Sequence, residues 1–292
     1  MVMSTKTFIV KTVKALARVV PVDIAFSLLR MLPRRITAKL ITLVNFNTDY
    51  EVNLMSMHFK FRSGPQDDHF IDLEHDRLIS WEDKTLEIWS NLSKNAHVCV
   101  DVGAYLGVYS IIGHLSGAKE VYAIEPNREV FNKLQTILRL NGLESKIHSM
   151  NLAVGEEEFQ GSLLTMPHRP FSSGAHLELG ARESVVYGSK FRRYKSVTLG
   201  EIDVKPLDFL LEFTKSKIDL IKIDVEGYEL FVIDGAKKIL REHHPVLIIE
   251  IVSEAQKILV EEKLSSFGYG SGRLIIDTRE SRNFIFEHRN PT

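Results

Sequence analysis

The chain has 292 residues, 44% of them hydrophobic, and balances 37 Lys and Arg against 38 Asp and Glu. That size and composition support a substantial buried core and exclude a wholly disordered chain, and the near-neutral charge gives no global argument for a nucleic-acid partner. A single cysteine, Cys99, excludes a disulfide framework and a cysteine metal cluster.

The charge is distributed unevenly, with eight Lys and Arg and one acid in residues 1–44. Ile9, Val13, Leu16 and Val20 recur at helical spacing with Lys11, Lys14 and Arg18 opposite them, which predicts an amphipathic helix. After Pro21 the apolar stripe continues through Ile24, Leu28 and Met31, and Pro33, Arg34 and Arg35 punctuate it again. No run approaches the roughly 20 apolar residues that cross a bilayer. Residues 1–50 therefore read as a basic helical extension, packed on the domain or a second subunit, or lying peripherally on an anionic membrane through residues 1–44. With no signal-peptide cleavage site in view and one buried thiol, the expected location is cytoplasmic, with membrane association as the variant.

Residues 51–95 form a lead-in segment, with a strand-like piece from Met55 to Phe61, a turn at Gly64-Pro65 and a helix from Lys84 to Leu92. Trp81 and Trp89 read as packing residues, Trp81 or Glu82 lining a cofactor pocket being the alternative. From residue 96 to 292 strands and helices alternate: strands at 97–102, 120–124, 146–153, 218–223 and 246–251, helices at 107–116, 128–141, 228–241 and 253–266. This specifies a mostly parallel sheet covered on both faces. Arg273 to Asp277 and Asn283 to Glu287 read as a terminal hairpin. Residues 156–200 break the alternation and read as an insertion over the pocket edge, a substrate cap or a solvated basic face, with Arg182, Lys190, Arg192, Arg193 and Lys195 in its second half.

The densest chemistry lies in VDVGAYLG, residues 100–107. A β-branched run ends in Asp101, and Gly103 and Gly107 mark a sharp strand-to-helix turn that lets a ligand approach the backbone. The next apolar run ends at Glu125, where an acid can accept hydrogen bonds from both ribose hydroxyls of a nucleoside. The spacing is G-x-x-x-G, not the G-x-G-x-x-G that wraps a pyrophosphate, and Asp101 would repel one. S-adenosylmethionine carries no phosphate and presents an ammonium to such an acid, so it is the cofactor expected. A second cluster, IDLIKIDVEGYEL at 218–230, brings Lys222, Asp224 and Glu226 to the carboxyl edge beside Glu250, where open α/β sheets bind ligands. Asp224 or Glu226 could accept the acceptor's proton. Asp224 and Glu250 could instead hold Mg2+, a possibility kept open without predicting a metal. As a purely structural alternative, Lys222 forms a buried salt bridge and Glu226 caps the following helix.

VDVGAYLGVYS, AIEPN, NLAVG, DLIKIDVEGYEL with Gly235, VLIIEI and FGY at 267–269 together resemble the FkbM-type methyltransferases of the class I S-adenosylmethionine-dependent superfamily, over residues 96–270. The resemblance implies an α/β, Rossmann-like sheet of seven strands, mostly parallel with the last strand antiparallel. It implies that Asp101, Gly103, Ala104 and Gly107 border the methionine part of the cofactor, Glu125 the ribose, and Asn151 to Ala153 the adenine. Asp224 would face the transferred methyl, which leaves Asp224, Glu226 and Glu250 as candidate catalytic residues. Members typically methylate hydroxyls of sugars and secondary metabolites. The expected reaction is thus O-methylation of a sugar, glycolipid or secondary metabolite, with no nucleic-acid partner. The alternatives are a protein or peptide side-chain acceptor, or a non-catalytic cofactor-binding relative. Asp224-Val225-Glu226-Gly227 stands where methyltransferases of nucleobase amino groups carry Asp-Pro-Pro-Tyr.

Overall fold

A computed structural model describes residues 48–63, 78–165, 176–177, 197–277 and 282–289. The basic extension before residue 48, the turn at 64–65 and the basic positions 182–195 lie outside the described residues, as do the side chains of Trp81 and Glu82.

The chain enters through a hairpin, β1 (Thr48–Leu54) and β2 (Met57–Ser63), closed by Met55 and Ser56 at φ 50° and 65°. Phe59 and Phe61 alternate inward. At the far side of the hairpin the Asn141 side chain mimics a strand: its Oδ1 accepts from Lys60 N, and its Nδ2 donates to Lys60 O, each at 2.6 Å. Asn141→Ala is expected to cost about 1–2 kcal/mol in chemical denaturation, with faster hydrogen exchange confined to the hairpin; exchange rising across the central sheet as well would contradict that local role.

Helix α1 (Leu78–Ser93) leads into a seven-stranded sheet. Its members are β3 (Val98–Val102), β4 (Glu120–Ile124), β5 (Ile147–Met150), β10 (Ile218–Ile223), β11 (Val246–Glu250), β12 (Arg273–Asp277) and β13 (Arg282–Phe286), in spatial order β12-β13-β11-β10-β3-β4-β5. Only β13, the last strand of the chain, runs antiparallel to its neighbours β11 and β12, and β12 and β13 make the expected terminal hairpin. Apolar residues fill both faces because crossover connections cover both. Cys99, Ala123, Leu220 and Ile248 face α1, α2 (Val108–Ser116) and α3 (Arg128–Leu140). Val100, Ile221, Leu247 and Ile249 face a 3-10 turn (Leu207–Glu212), α4 (Glu229–Asp234), α5 (Lys237–Glu242) and α6 (Glu254–Ser265).

Two expected elements are divided. The strand expected over 146–153 leaves the main sheet after Met150, and Ala153–Val154 (β6) instead pairs with β9 (Val197–Lys205) in a second sheet, ordered β6-β9-β7-β8 with β7 (Phe159–Thr165) and β8 (His176–Leu177). The helix expected over 228–241 breaks at Gly235 and Ala236, because the Asp208 carboxylate accepts from Lys238 N and Ile239 N and starts a new helix there. A Cβ on Gly235 would lie 2.0 Å from the Gly155 carbonyl oxygen, so the root of the second sheet packs directly against this break. Among the described residues no helix is long and apolar enough to cross a membrane.

Candidate cofactor and methyl-transfer site

Parallel register assembles the site. Asp101 on β3 pairs with Ala123 on β4 and with Lys222 on β10, which pairs with Ile248 on β11. Side chains two residues on return to the same face, so Gly103, Glu125, Asp224 and Glu250 form the next row, at the carboxyl edge. Backbone bonds hold the strand ends together beyond the ladder: Asp224 N donates to Val102 O, Gly103 N and Ala104 N to Ile124 O, and Glu125 N to Met150 O, at 2.9–3.0 Å.

The acids are buried. Asp101 is 2% exposed and accepts a 2.6 Å hydrogen bond from Ser110 Oγ in α2. Burial raises its carboxyl to about 6 against the pull of Ser110 and Lys222. Glu125 is 6% exposed and joins two loops, accepting from Tyr105 N at 2.9 Å through Oε2 and from Asn127 N at 2.7 Å through Oε1. Burial raises it to about 7, helped by the charges of Asp101 and Asp224, so three carboxyls act on one region. Asn151 donates from Nδ2 to the carbonyls of Glu125 and Pro126. It fixes the turn after β4, while Ala153 is buried in the core of the second sheet.

At the other strand pair, Lys222 Nζ lies 2.8 Å from Asp224 Oδ2 and is 1% exposed, the buried salt bridge that the sequence left as an alternative. It also sits 4.8 Å from the centroid of the Tyr109 ring. Glu250 is half-buried and hydrogen-bonded to Asp224, and desolvation with the neighbouring Asp224 charge pushes its carboxyl well above the usual range. Glu226 (φ 53°) and Gly227 (φ 95°) are both left-handed, as is Tyr105 (φ 50°) in the facing loop. Strain of this kind at non-glycine residues concentrates at functional sites.

Three features differ from the sequence reading. A Cβ on Gly103 would lie 1.8 Å from the Asp224 carbonyl oxygen and one on Gly107 would lie 2.3 Å from Leu134 Cδ1. On that side these glycines admit neighbouring protein, not ligand. The N-cap position of α4 is Tyr228, two residues beyond Glu226, and its side chain makes no cap bond. The acid turn is held by Glu229, 1% exposed, which accepts from Gly227 N at 2.8 Å and from Gln256 Nε2. The spacing of Glu226 and Glu229 carries a signal for such a brace, but nothing in the sequence marks Ser110 as the partner of Asp101.

Two buried carboxyls at the tips of adjacent parallel strands, flanking a G-x-x-x-G turn, suit a nucleoside ligand whose other end is cationic and lacks phosphate. Among the described residues no group of three or more His, Cys, Asp or Glu side chains could hold a metal ion. The cation bonded to Asp224 is Lys222.

Residues 101–270 match the family model of the methyltransferase FkbM domain. The chain belongs to this family. A solved FkbM methyltransferase from Methylobacillus flagellatus KT is 22% identical with a TM-score of 0.46, the match covering 66% of this chain and 44% of that one, so the chain spans less than half of that relative. A SAM-dependent methyltransferase from Agrobacterium tumefaciens is 12% identical over 82% of this chain and 70% of that one, TM-score 0.42. A 16S rRNA methyltransferase from T. thermophilus, in complex with AdoMet and guanosine, is 14% identical over 83% and 50%, TM-score 0.47. In this FkbM domain the matched segment begins at Asp101 and contains Gly103, Ala104, Gly107, Glu125, Asn151, Ala153, Asp224, Glu226 and Glu250, but not Trp81 or Glu82. The order β5-β4-β3-β10-β11-β13-β12, with the last strand reversed between its two predecessors, is the sheet the resemblance implied.

Proposed function

We propose that the protein transfers the methyl group of S-adenosylmethionine to a hydroxyl of a sugar, glycolipid or related small molecule. The observation that carries the cofactor half is the pair Asp101 and Glu125, buried at the ends of adjacent strands, Asp101 bonded to Ser110 of α2 and Glu125 to Tyr105 of the Gly103–Gly107 loop. Asp101 would take the cofactor's ammonium, directly or through water, and Glu125 its ribose hydroxyls. The cofactor supplies an activated methyl on a cationic sulfur, and the chain's part is to align the acceptor oxygen for in-line displacement. Asp224 would orient that hydroxyl and take up its proton, with Glu226 and Glu250 beside it.

The acceptor half is supported by what surrounds Asp224. Tyr228, four residues on, packs into the core of the second sheet with Ala153, Leu163, Ile202 and Val204. That sheet forms a wall next to the acid turn, where a substrate cap is expected to root. Calorimetry with S-adenosylmethionine and its demethylated product is expected to show binding that Asp101→Ala weakens about tenfold or more. Asp224→Asn should keep most of the binding while losing turnover; equal loss of both would remove Asp224 from the methyl-transfer step. Incubation with methyl-labelled cofactor and separated lipid, nucleotide-sugar, protein and RNA fractions tests the acceptor. Label in lipid or sugar fractions supports the hydroxyl reading, and label in protein or RNA alone overturns it.

A further inference from the structure

Lys222 is the one cation described at the centre of the acid row, and no role in the reaction above uses it. Its ammonium is 1% exposed and bonded to Asp224. On β3, Asp101 is its register partner. From α2, the Tyr109 ring lies under it and Ser110 bonds Asp101. From β11, Glu250 bonds Asp224 and feels the Lys222 charge. Glu125 at the end of β4 and Glu226 in the acid turn complete the charged groups around it. The Tyr109 ring is itself fixed, edge-on to Trp89, whose Nε1 donates to the Tyr109 carbonyl at 2.8 Å. A buried ammonium is costly unless it is paired and enclosed, and here α1, α2, β3 and β10 all hold it in place.

We propose that Lys222 is the positioning residue of the methyl-donor site: bonded to Asp224 and set beside Asp101, its ammonium offsets the Asp224 charge, so that Asp101 stays ionised to meet the cationic cofactor and Asp224 stays ionised to take the acceptor's proton. The inference rests on the cofactor reading of the preceding subsection. The Asp224 charge raises the affinity of Asp101 and Glu250 for protons; the Ser110 hydrogen bond and then the Lys222 charge oppose this at Asp101, and Lys222 is the charge that opposes it at Glu250. Remove that charge and the row takes up protons, so the cofactor must displace them before it can bind. Lys222 itself need not touch the cofactor.

The test is the pH dependence of S-adenosylmethionine binding between pH 5.5 and 8.5, by calorimetry, for the full chain and for Lys222→Met, Lys222→Gln and Lys222→Arg. The Met and Gln variants are expected to move the binding midpoint upward by about one pH unit and to lose about tenfold in affinity at pH 7. The Arg variant, which keeps the charge, is expected to hold the original midpoint. Gln can still hydrogen-bond Asp224, so it carries the measurement if Met prevents folding. A midpoint that stays put in a folded neutral variant, with affinity reduced equally at every pH, would mean that Lys222 only braces the fold and would overturn the proposal. Absence of binding by the unaltered chain at every pH is a separate result and defeats the cofactor reading instead.

Discussion

Lowering the pH from 8 to 5.5 is expected to weaken S-adenosylmethionine binding by roughly 30- to 100-fold. The cause is the site's own hold on protons: desolvation raises Glu125 to about 7 and Asp101 to about 6. A ligand that needs both as carboxylates must displace those protons, and the cost grows with each unit below the raised values. Glu125→Gln should weaken binding at pH 8 and flatten the upper part of the profile, leaving the lower step that belongs to Asp101. A flat wild-type profile across this range would mean that neither carboxyl meets the cofactor.

The same groups set the stability of the ligand-free protein, and the sign is opposite to that of ordinary acid denaturation. A carboxyl whose folded value lies above its unfolded one binds more protons when folded in the interval between them, so stability falls as pH rises through that interval. Asp101, Glu125 and Glu229, raised to about 6, 7 and 7, all act in this direction, and Glu250 joins them. Each fully buried carboxyl removes on the order of 3 kcal/mol of stability by pH 8, at about 1.4 kcal/mol per unit. Asp49, held below the usual carboxylate range by its bonds to Arg62, acts in the opposite sense at lower pH. The melting temperature without cofactor is expected to fall between pH 5 and pH 8, and the gain on adding S-adenosylmethionine to be largest at pH 8. Constant melting temperatures would place these carboxyls in contact with water.

Four strands of the central sheet were legible because each is a short apolar run with an acid at its carboxyl end: Asp101, Glu125, Asp224 and Glu250. Period and punctuation suffice for that. Less legible were features decided by contacts distant in sequence. The break at Gly235 depends on Asp208, 30 residues before the amides it caps. Strand β5 ends where it does because β6 pairs with β9, 51 residues along in register. Glycine type shows that a backbone must turn or approach something; whether the neighbour is a ligand or another strand is set only by the assembled sheet. The roles of Ser110 and Glu229 were hidden for the same reason, since a serine in a helix and an acid after a turn are ordinary until the partner arrives.

Gly103 offers the sharpest test of that assembled edge. Its φ of 84° is left-handed, and an added methyl would lie 1.8 Å from the Asp224 carbonyl oxygen and 2.9 Å from the Asp224 carbonyl carbon. Those atoms are backbone and cannot rotate away, so Gly103→Ala must separate the end of β3 from the end of β10. The bond from Asp224 N to Val102 O lies beside this contact and would go with it. Left-handed strain alone costs about 1–2 kcal/mol, and forced movement in a packed region about 1–3 kcal/mol more. Gly142 isolates the first contribution: its φ is 65° and nothing lies within 4 Å of an added Cβ. Chemical denaturation is therefore expected to show Gly103→Ala at least twice as destabilising as Gly142→Ala, with cofactor binding lost in the first and kept in the second. Equal costs would mean that the two strand ends are not in contact, and Asp101, Lys222 and Asp224 could then no longer act as one electrostatic unit.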